Sequence, residues 1–336
     1  MSTIRILSRE DTKKLLSMPM ILEAVEQAYL QKNTGKGDIW PMVFHEFEHG
    51  VSDLDIKSGN LDTDGIYGLK VVSWYGENPA KGLPALHGTS MIFDLATGAP
   101  KALMNAGAIT DYRTGAAGAV GAKYLARKDS RHVVLAGCGA LAPYLIAATL
   151  IALPQIEKVT IINPRTPAHA PERLESITAK VDALMENIAR TAEITASSDI
   201  PATVSAADII LTATPAYQPI IADAWVKPGT HISCVGADLS GKQEIASDIL
   251  ARARVFGDDS AQCLSVGECE VPYKEGKIKG LQSEIGAVIA GTATGRVQDS
   301  DVTVFDSTGI ALQDLASGAK LLKKAEEMHI GTVVEL

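Results

Sequence analysis

Three charged residues that lie far apart in the sequence could act together on a small charged substrate: Lys70, Arg113 and Asp238. Lys70 stands in the apolar run GLKVVSWY, where a strand is expected, and lysine is seldom buried without a partner. Lys70 is the unusual one of the three, because a lysine desolvated in a cleft titrates readily. Asp238 follows the apolar strand HISCVGA, where open α/β sheets place ligand groups. Taken singly, Arg113 and Asp238 are also consistent with ordinary surface charges or helix caps.

A glycine-rich turn indicates a dinucleotide site. The residues Gly137-Cys138-Gly139-Ala140-Leu141-Ala142 directly follow the apolar strand HVVLA and open a helix, which is the context that a G-x-G-x-x-A motif requires. Gly137 would allow the tight turn, and Gly139 would let the backbone approach a pyrophosphate at the helix N-terminus. The alternative is an ordinary strand-to-helix turn that contains glycines.

The end of the following strand, TIINPRTP, bears on the choice of cofactor. An NAD site usually has an acidic residue here that binds the ribose 2′-hydroxyl, and this chain has Asn163, Arg165 and Thr166 instead. Arg165 could pair with a 2′-phosphate, and Thr166 could add a hydroxyl. The sequence therefore favours NADP over NAD, with a solvated surface arginine as the alternative.

The elements that must position these residues follow two patterns. Residues 9–32 read as helical and are split by Pro19, and residues 42–104 read as strands joined by turns. Thr110 is expected to cap a Gly- and Ala-rich helix. From residue 132 continuous apolar strands alternate with helices, which is typical of a doubly wound parallel sheet. The tail is a strand, a turn and an amphipathic helix that could pack back on the N-terminal unit.

Composition excludes several classes of protein. The chain has 336 residues, a net charge of −9 and no block of five like charges, which argues against nucleic acid or an anionic membrane as the main partner. No secretory signal and no long apolar run are visible. The cysteines show no zinc or C-x-x-C spacing, so we expect free thiols in a reducing cytoplasm and no metal site.

Taken together, these blocks resemble the ornithine cyclodeaminase/μ-crystallin family from about Ser8 to about Lys323. The resemblance rests on GLKVVSWYGENPAKGLPALHG, TDYRTGAAGAVGAKYLARKDS, GCGALA, WVKPGTHISCVGAD and VTVFDSTGIALQDLASGAKLL. It implies a Rossmann domain and a substrate and dimerisation domain. It also implies that Lys70 contacts the substrate carboxylate and assists proton transfer, that Arg113 holds that carboxylate, and that Asp238 handles a side-chain amine in cyclodeaminases.

The substrate segment departs from this family pattern. The segment WPMVFHEFEHG lacks the arginine that many members carry, and Leu141 replaces the usual Gln or Ser. Lys57-Ser58-Gly59 stand where many members have Met-Pro, and Asp55 is a possible replacement for an acid of the cyclodeaminases. A second lysine points to a substrate with more negative charge, or to a carboxylate that is held differently. Ornithine is therefore not transferred as the substrate.

The resulting expectation is an α/β protein: a Rossmann domain at residues 116–309, and a discontinuous substrate and dimerisation domain formed by residues 1–115 and 310–336. We expect a homodimeric NAD(P)-dependent oxidoreductase that acts on the C–N bond of a small amino or imino acid. The alternatives are a cyclodeaminase that uses NAD⁺ catalytically and a non-catalytic NADPH- or small-ligand-binding protein. The catalytic candidates are Lys70, Arg113 and Asp238. The expected cofactor contacts are Thr114, Gly137, Gly139, Ala140, Leu141, Asn163, Arg165, Thr166, Thr212, Val235 and Gly236.

Overall fold

The computed structural model describes residues 3–336, and the chain divides into two compact units. Unit 1 comprises the residues up to Arg113 together with Ile310–Leu336, and unit 2 comprises Thr114–Gly309. Strands and helices are numbered in chain order.

Unit 1 contains a mixed β-sheet and three complete helices. Its elements are β1 (Thr3–Leu7), α1 (Arg9–Leu15), α2 (Met18–Asn33), β2 (Gly37–Ile39), β3 (Val43–Glu48), β4 (Ser52–Leu61), β5 (Ile66–Tyr75), a 3₁₀ turn (Asn78–Lys81), β6 (Leu86–Asp94), β7 (Pro100–Asn105), α11 (Ala311–Glu327) and β16 (Thr332–Glu335). The strand order is β16-β1-β7-β6-β5-β4-β2, and β3 pairs with β4. Helix α3 (Gly107–Leu125) contains the boundary between the two units.

Helix α11 covers one face of this sheet, where it contacts β4, β5 and β6 as well as α2. Close packing depends on Gly68 of β5, because a Cβ there would lie 2.9 Å from a methyl group of Leu315. Along β5 the covered face alternates with the more exposed one, so Gly68, Lys70 and Val72 point towards α11. The lysine that the sequence places in an apolar run is therefore on the covered face.

Unit 2 contains a fully parallel sheet. Its elements are β8 (His132–Ala136), α4 (Ala142–Ala152), β9 (Lys158–Ile162), α5 (His169–Met185), β10 (Glu193–Ala196), α6 (Ile200–Ala206), β11 (Ile209–Thr212), a 3₁₀ turn (Asp223–Trp225), β12 (His231–Cys234), α7 (Ser247–Arg252), β13 (Arg254–Gly257), α8 (Ser260–Val266), α9 (Glu270–Lys274), β14 (Ser283–Glu284), α10 (Ile285–Ile289) and β15 (Thr303–Asp306).

The strand order in unit 2 is β10-β9-β8-β11-β12-β15-β13-β14, with parallel pairing throughout. Strands β11, β12 and β15 are buried along their whole length, as expected for strands with both faces covered. The order reverses between β8 and β11, which is the switch point where doubly wound sheets bind ligands. The predicted Rossmann-type sheet is confirmed.

One local prediction needs correction. Thr110 is not an N-cap, because α3 begins at Gly107 and the Thr110 hydroxyl donates to the Ala106 carbonyl inside the helix. Helix α7 spans only Ser247–Arg252, and Ile245 just before it forms a bridge with Ile221. Strand β10 was missed because it is a four-residue edge strand with little burial.

Candidate functional site

Lys70 forms a buried ion pair within unit 1. Its side chain is 2% exposed, and its Nζ lies 2.8 Å from Oδ2 of Asp314 in the first turn of α11. The ammonium also lies 3.5 Å from the hydroxyl of Thr110. The family resemblance implied that a substrate carboxylate contacts the Lys70 ammonium. That prediction did not include Asp314, which already supplies a negative charge to Lys70.

Arg113 meets the same carboxylate from α3. Its Nε lies 3.5 Å from Oδ1 of Asp314, and its Nη1 donates to the side-chain carbonyl of Gln313 at 3.3 Å. The amide of Gln313 in turn donates to the hydroxyl of Tyr29. Gln313 and Asp314 of α11 therefore fix the guanidinium, which is 8% exposed. Two cations share one carboxylate, which leaves one positive charge in this trio.

Electrostatics tune both members of the ion pair. Burial lowers the pKa of Lys70 to about 8, with help from the positive charges of Arg113 and Lys57 and against the attraction of Asp314. Burial raises the pKa of Asp314, but the charges of Lys70 and Arg113 outweigh it and hold this pKa below its usual value. An ammonium with a pKa near 8 can both give and take a proton close to neutral pH.

Sequence reasoning missed Asp314, although a signal was present. In GIALQDLASG the aspartate stands between Leu312 and Leu315, which are buried on the amphipathic helix α11. A carboxylate on the buried stripe of a helix needs a partner of opposite charge. Lys70 also needed a partner of opposite charge, but no local sequence pattern connects Lys70 with Asp314.

Asp238 lies in unit 2, four residues past the end of β12. Its side chain is 51% exposed, and its carboxylate pairs with Lys242 at 2.6 Å. Its predicted position beyond a sheet strand is confirmed. The carboxylate of Asp238 is therefore paired with Lys242, whereas Lys70 and Arg113 both pair with Asp314.

The predicted glycine turn forms one wall of a crevice in unit 2. Gly137 has a φ of +125°, which an L-residue rarely adopts, and its N–H donates to the Ile162 carbonyl. A Cβ on Gly139 would meet no atom within 4 Å, so open space remains beside the start of α4. The crevice has a volume of about 290 Å³. Its lining residues are Gly137, Cys138, Gly139, Asn163, Pro164, Arg165, Thr166, His169, Arg173, Ala213, Thr214, Pro215 and Ile220.

The residues at the end of β9 are held by Asn163. Its side-chain carbonyl accepts hydrogen bonds from the backbone N–H groups of Arg165 and Thr166, both at 3.2 Å. Arg165 is exposed and donates to the Pro215 carbonyl at 3.3 Å. Arg173 adds a second guanidinium to the lining of the crevice. This rim fits a dinucleotide phosphate, because it offers positive charge and backbone donors beside a helix N-terminus.

A buried carboxylate ties together the loops that follow β11 and β12. Glu244 accepts hydrogen bonds from the Thr212 hydroxyl at 2.6 Å, from the backbone and hydroxyl of Thr214 at 2.6 and 2.8 Å, and from the Gly236 N–H at 2.9 Å. Burial raises the pKa of Glu244, and these hydrogen bonds oppose that rise. Sequence reasoning missed Glu244, which fixes Thr214 in the wall of the crevice.

The remaining predicted cofactor residues are spread around unit 2. Gly139 and Ala140 are exposed and Leu141 is half-buried at the start of α4, whereas Thr114 and Val235 are buried, at 7% and 6% exposure. Thr212 is fully buried, and its hydroxyl donates to Glu244. Thr214, two residues further on, is the residue of this loop that lines the crevice.

The four cysteines are free and buried. Across residues 3–336, no cluster of three or more His, Cys, Asp or Glu side chains is arranged to hold a metal ion. In the same part of the chain, no helix is both long and apolar enough to cross a membrane.

Comparison with known proteins gives a consistent picture. The family model for the ornithine cyclodeaminase/mu-crystallin family matches residues 3–328. Alanine dehydrogenase from Archaeoglobus fulgidus is 34% identical over 332 residues, which are 98% of each chain. Iminosuccinate reductase from Paracoccus denitrificans is 30% identical over 98% of this chain and 99% of its own.

Solved structures of similar proteins carry nicotinamide dinucleotides. An archaeal alanine dehydrogenase dimer with bound NAD has a TM-score of 0.88 at 34% identity over 99% of both chains. The Delta(1)-pyrroline-2-carboxylate reductase of Thermococcus litoralis, in complex with NADH and L-proline, has a TM-score of 0.89 at 31% identity over 98% of this chain and 99% of that one. The Paracoccus iminosuccinate reductase in complex with NAD⁺ has a TM-score of 0.90 at 29% identity over 99% and 100%.

Proposed function

Because the chain belongs to the ornithine cyclodeaminase/mu-crystallin family, we propose that it is an NAD(P)-dependent oxidoreductase acting on the C–N bond of a small amino or imino acid. The observation that carries the proposal is the trio of Lys70, Arg113 and Asp314, in which two buried cations share one carboxylate. The surplus positive charge suits the carboxylate that every amino or imino acid carries.

The chain's own residues have distinct roles in this proposal. Arg113, held by Gln313 and Asp314, binds and orients the substrate carboxylate. Lys70 exchanges a proton with the substrate, because burial and Asp314 together set its pKa near neutral while keeping its ammonium in place. A nicotinamide dinucleotide bound in unit 2 would supply or accept the hydride. Holding the reactants in place contributes several kcal/mol to catalysis in well-oriented systems, of the order of 7–11 kcal/mol at most.

We further propose that unit 2 binds NADP(H) more tightly than NAD(H). No acidic residue lines the crevice at the end of β9, and Arg165 and Arg173 line it instead. An acid in that position would bind a ribose hydroxyl and repel a 2′-phosphate. The three solved relatives contain NAD or NADH, and the proposal of NADP(H) rests on Asn163, Arg165 and Thr166 of this chain.

The exposed face of unit 1 suits a homodimer. Every residue of β3 is exposed, and the aromatic side chain of Phe47 is 55% exposed. Phe47 stacks on Tyr75, which is itself 39% exposed, so the patch is continuous. Exposed apolar patches of this kind mark protein interfaces. Phe47→Asp should shift a dimer towards monomer in sedimentation experiments, and an unchanged mass would rule this face out.

The four unpaired cysteines are consistent with action in the reducing cytoplasm, which we propose as the location.

The test of the activity is a panel of amino acids, and of 2-oxo acids with ammonia or amines, assayed with both cofactors. An oxidoreductase changes the reduced-nicotinamide absorbance in proportion to product. A cyclodeaminase forms its product with no net change in that absorbance. Tight NADPH binding without turnover of any compound would favour a non-catalytic binding protein.

A further inference from the structure

The loop that carries Asp238 is fixed at both ends and exposed in its middle. At its start the backbone N–H of Val235 donates to the last residue of β11 at 3.0 Å, and at its end that of Gln243 donates to the loop after β11 at 2.9 Å. Between these two points the loop lies at the surface, and the side chain of Asp238 is 51% exposed. The position of this carboxylate therefore depends on what holds the middle of the loop.

A buried carboxylate binds this exposed middle segment. Glu270 of α9 is 1% exposed, and it accepts hydrogen bonds from the Ser240 hydroxyl and, at 2.7 Å, from the Gly241 N–H. Gly241 has a φ of +83°, a left-handed conformation that glycine adopts without strain. The Ser240–Gly241 turn is therefore held in one place by a side chain of the protein interior.

The carboxylate of Glu270 is ionised. Burial alone would raise the pKa of Glu270, but the hydrogen bonds from Lys274 and from the Ser240–Gly241 turn outweigh burial and hold this pKa below its usual value. Hydrogen bonds to an ionised acceptor are roughly twice as strong as neutral ones. A buried ion is tolerated only where its bonds compensate for the lost water, and here the turn provides two of them.

The segment that carries Glu270 is itself fixed to the parallel sheet. Glu268 accepts hydrogen bonds from the backbone N–H groups of Glu244 at 2.9 Å and Ile245 at 2.7 Å, at the end of the same loop. The N–H of Cys269 donates to the carboxylate of Asp306 at the end of β15 at 3.0 Å. The loop is therefore held at two places by a segment that is bonded to a central strand.

Lys242 connects the turn with Asp238. It directly follows Gly241, its side chain is only 13% exposed, and its Nζ donates to Oδ1 of Asp238 at 2.6 Å. Because most of the Lys242 side chain is enclosed, its ammonium lies at a defined point beside the carboxylate. The Asp238 side chain stays half exposed, which leaves room for a second positively charged group.

We propose that Lys242 is a positioning residue for the reaction: fixed by the turn that Glu270 binds, it orients the Asp238 carboxylate for the amine or imine nitrogen of the substrate. The inference rests on the proposed function and adds to the residues of that site. Lys242 contacts no substrate and transfers no proton in this proposal. A displacement of about 1 Å in a catalytic group can cost about 10²-fold in rate, so a residue that fixes its direction affects kcat.

The experiment measures kcat, substrate KM and cofactor dissociation constants for the substrate that the panel identifies. Lys242→Met should lower kcat roughly tenfold or more while both cofactors bind as in wild type. Lys242→Arg keeps a cation beside Asp238 and should recover most of this loss. Lys277→Met, in which another lysine of unit 2 loses its partner Asp248, is the matched control and should change nothing.

A double-mutant cycle distinguishes positioning from a structural effect. In the Asp238→Asn background, Lys242→Met should lower kcat by no more than about twofold, because the two residues act as one unit. Ser240→Ala removes one bond to Glu270 at an exposed position and should lower kcat in the same way but less. The thermal midpoint of Lys242→Met should stay close to that of wild type, since methionine replaces the enclosed stem and half-exposed ion pairs contribute little.

The outcomes separate this inference from the proposed function. Wild-type kcat in Lys242→Met or in Asp238→Asn would overturn the inference and leave the proposed function standing. An equal loss of kcat with and without the Asp238 carboxylate, or a loss that disappears when activity is expressed per folded molecule, would do the same. No turnover of any amino or imino acid by wild type with either cofactor would overturn both.

Discussion

Nζ of Lys70 in β5 lies 2.8 Å from Oδ2 of Asp314 in α11, and both side chains are almost fully buried. The pair joins the sheet of unit 1 to the helix that covers it. Removing Asp314 would leave Lys70 and Arg113 as buried charges without a counter-charge, which is far more costly than losing a surface pair. Lys70 is therefore both a structural partner and the proposed proton carrier.

Lys70→Met should accordingly lose stability as well as activity. We expect a loss of about 1–3 kcal/mol in the free energy of unfolding, since Asp314 would keep Arg113 but lose the hydrogen bond from the Lys70 ammonium. Denaturant titration measures this loss. The loss of stability follows from the ion pair with Asp314, which the sequence alone does not show.

Activity per folded molecule separates the two roles of Lys70. In Lys70→Met the carboxylate of Asp314 is still paired with Arg113, so a folded fraction remains that can be assayed. Turnover per folded molecule should be lost in this variant. Wild-type turnover per folded molecule would show that Lys70 has no chemical role.

The pH profile should report the titration of Lys70. Its pKa of about 8 lies below the ordinary value of 10.5, chiefly because burial disfavours the charged form. Imine reduction, which uses the ammonium, should therefore slow as the pH rises through about 8, and amine oxidation, which uses the neutral amine, should accelerate. Lys70→Arg should remove this change in rate near pH 8, because arginine stays protonated. If the change in rate near pH 8 persisted in Lys70→Arg, another group would be responsible for it.

The same shift has a consequence for stability. Between pH 8 and 10.5 the unfolded chain holds the Lys70 proton and the folded chain does not. Stability therefore gains from this group as the pH rises through that window, and the cost of burying the charge is fully present below it. The comparison of wild type with Lys70→Met across this pH window measures the contribution.

Arg165 is expected to set the choice of cofactor. Arg165→Ala should raise the dissociation constant of NADP(H) about tenfold or more, or 1.4 kcal/mol, and leave that of NAD(H) nearly unchanged. Arg131→Ala, on the exposed surface of the same unit, serves as the control. Fluorescence titration with all four nucleotides provides the measurement. Equal losses for both cofactors would mean that Arg165 does not contact the 2′-phosphate.

Glu244 is expected to position the loops of the crevice. Each of its carboxylate oxygens accepts one backbone N–H, from Thr214 and from Gly236. In Glu244→Gln one of these N–H groups must face an amide NH₂, at a cost of about 1–3 kcal/mol. We expect weaker binding of both cofactors with little change in substrate KM at saturating cofactor.

The control for Glu244 is Glu275→Gln, an exposed glutamate of the same unit. If Glu244→Gln lowered the thermal midpoint but left both cofactor dissociation constants intact, its role would be purely structural.

The parallel sheet of unit 2 was predictable because its signals are local. Continuous apolar strands, a glycine turn and regular alternation all lie within short windows of sequence. The Lys70–Asp314 pair was not predictable in this way, because β5 and α11 are joined only by the packing of the folded chain. The sequence indicated that both Lys70 and Asp314 need a partner of opposite charge, but it did not show that they pair with each other.

Register explains a second limit of the sequence. Lys57 was visible as an extra lysine, but only the β4–β5 register places it opposite Lys70 rather than opposite a neighbouring residue. A shift by one residue would send Lys57 to the other face of the sheet. The role of Glu244 was not predictable either, because its four hydrogen-bond donors come from two separate segments, the end of β11 with the loop after it and the loop after β12.

The central claim is hydride transfer to the carbon that bears nitrogen, and isotopic labelling tests it most directly. Reduced dinucleotide carrying deuterium at its transferable position is incubated with the enzyme, ammonium and a 2-oxo acid, and the product is analysed by mass spectrometry. We predict one deuterium at the α-carbon of the amino acid and one equivalent of oxidised cofactor for each product molecule. Product from ornithine with no net change in the cofactor, or no labelled amino acid from any substrate, would contradict it.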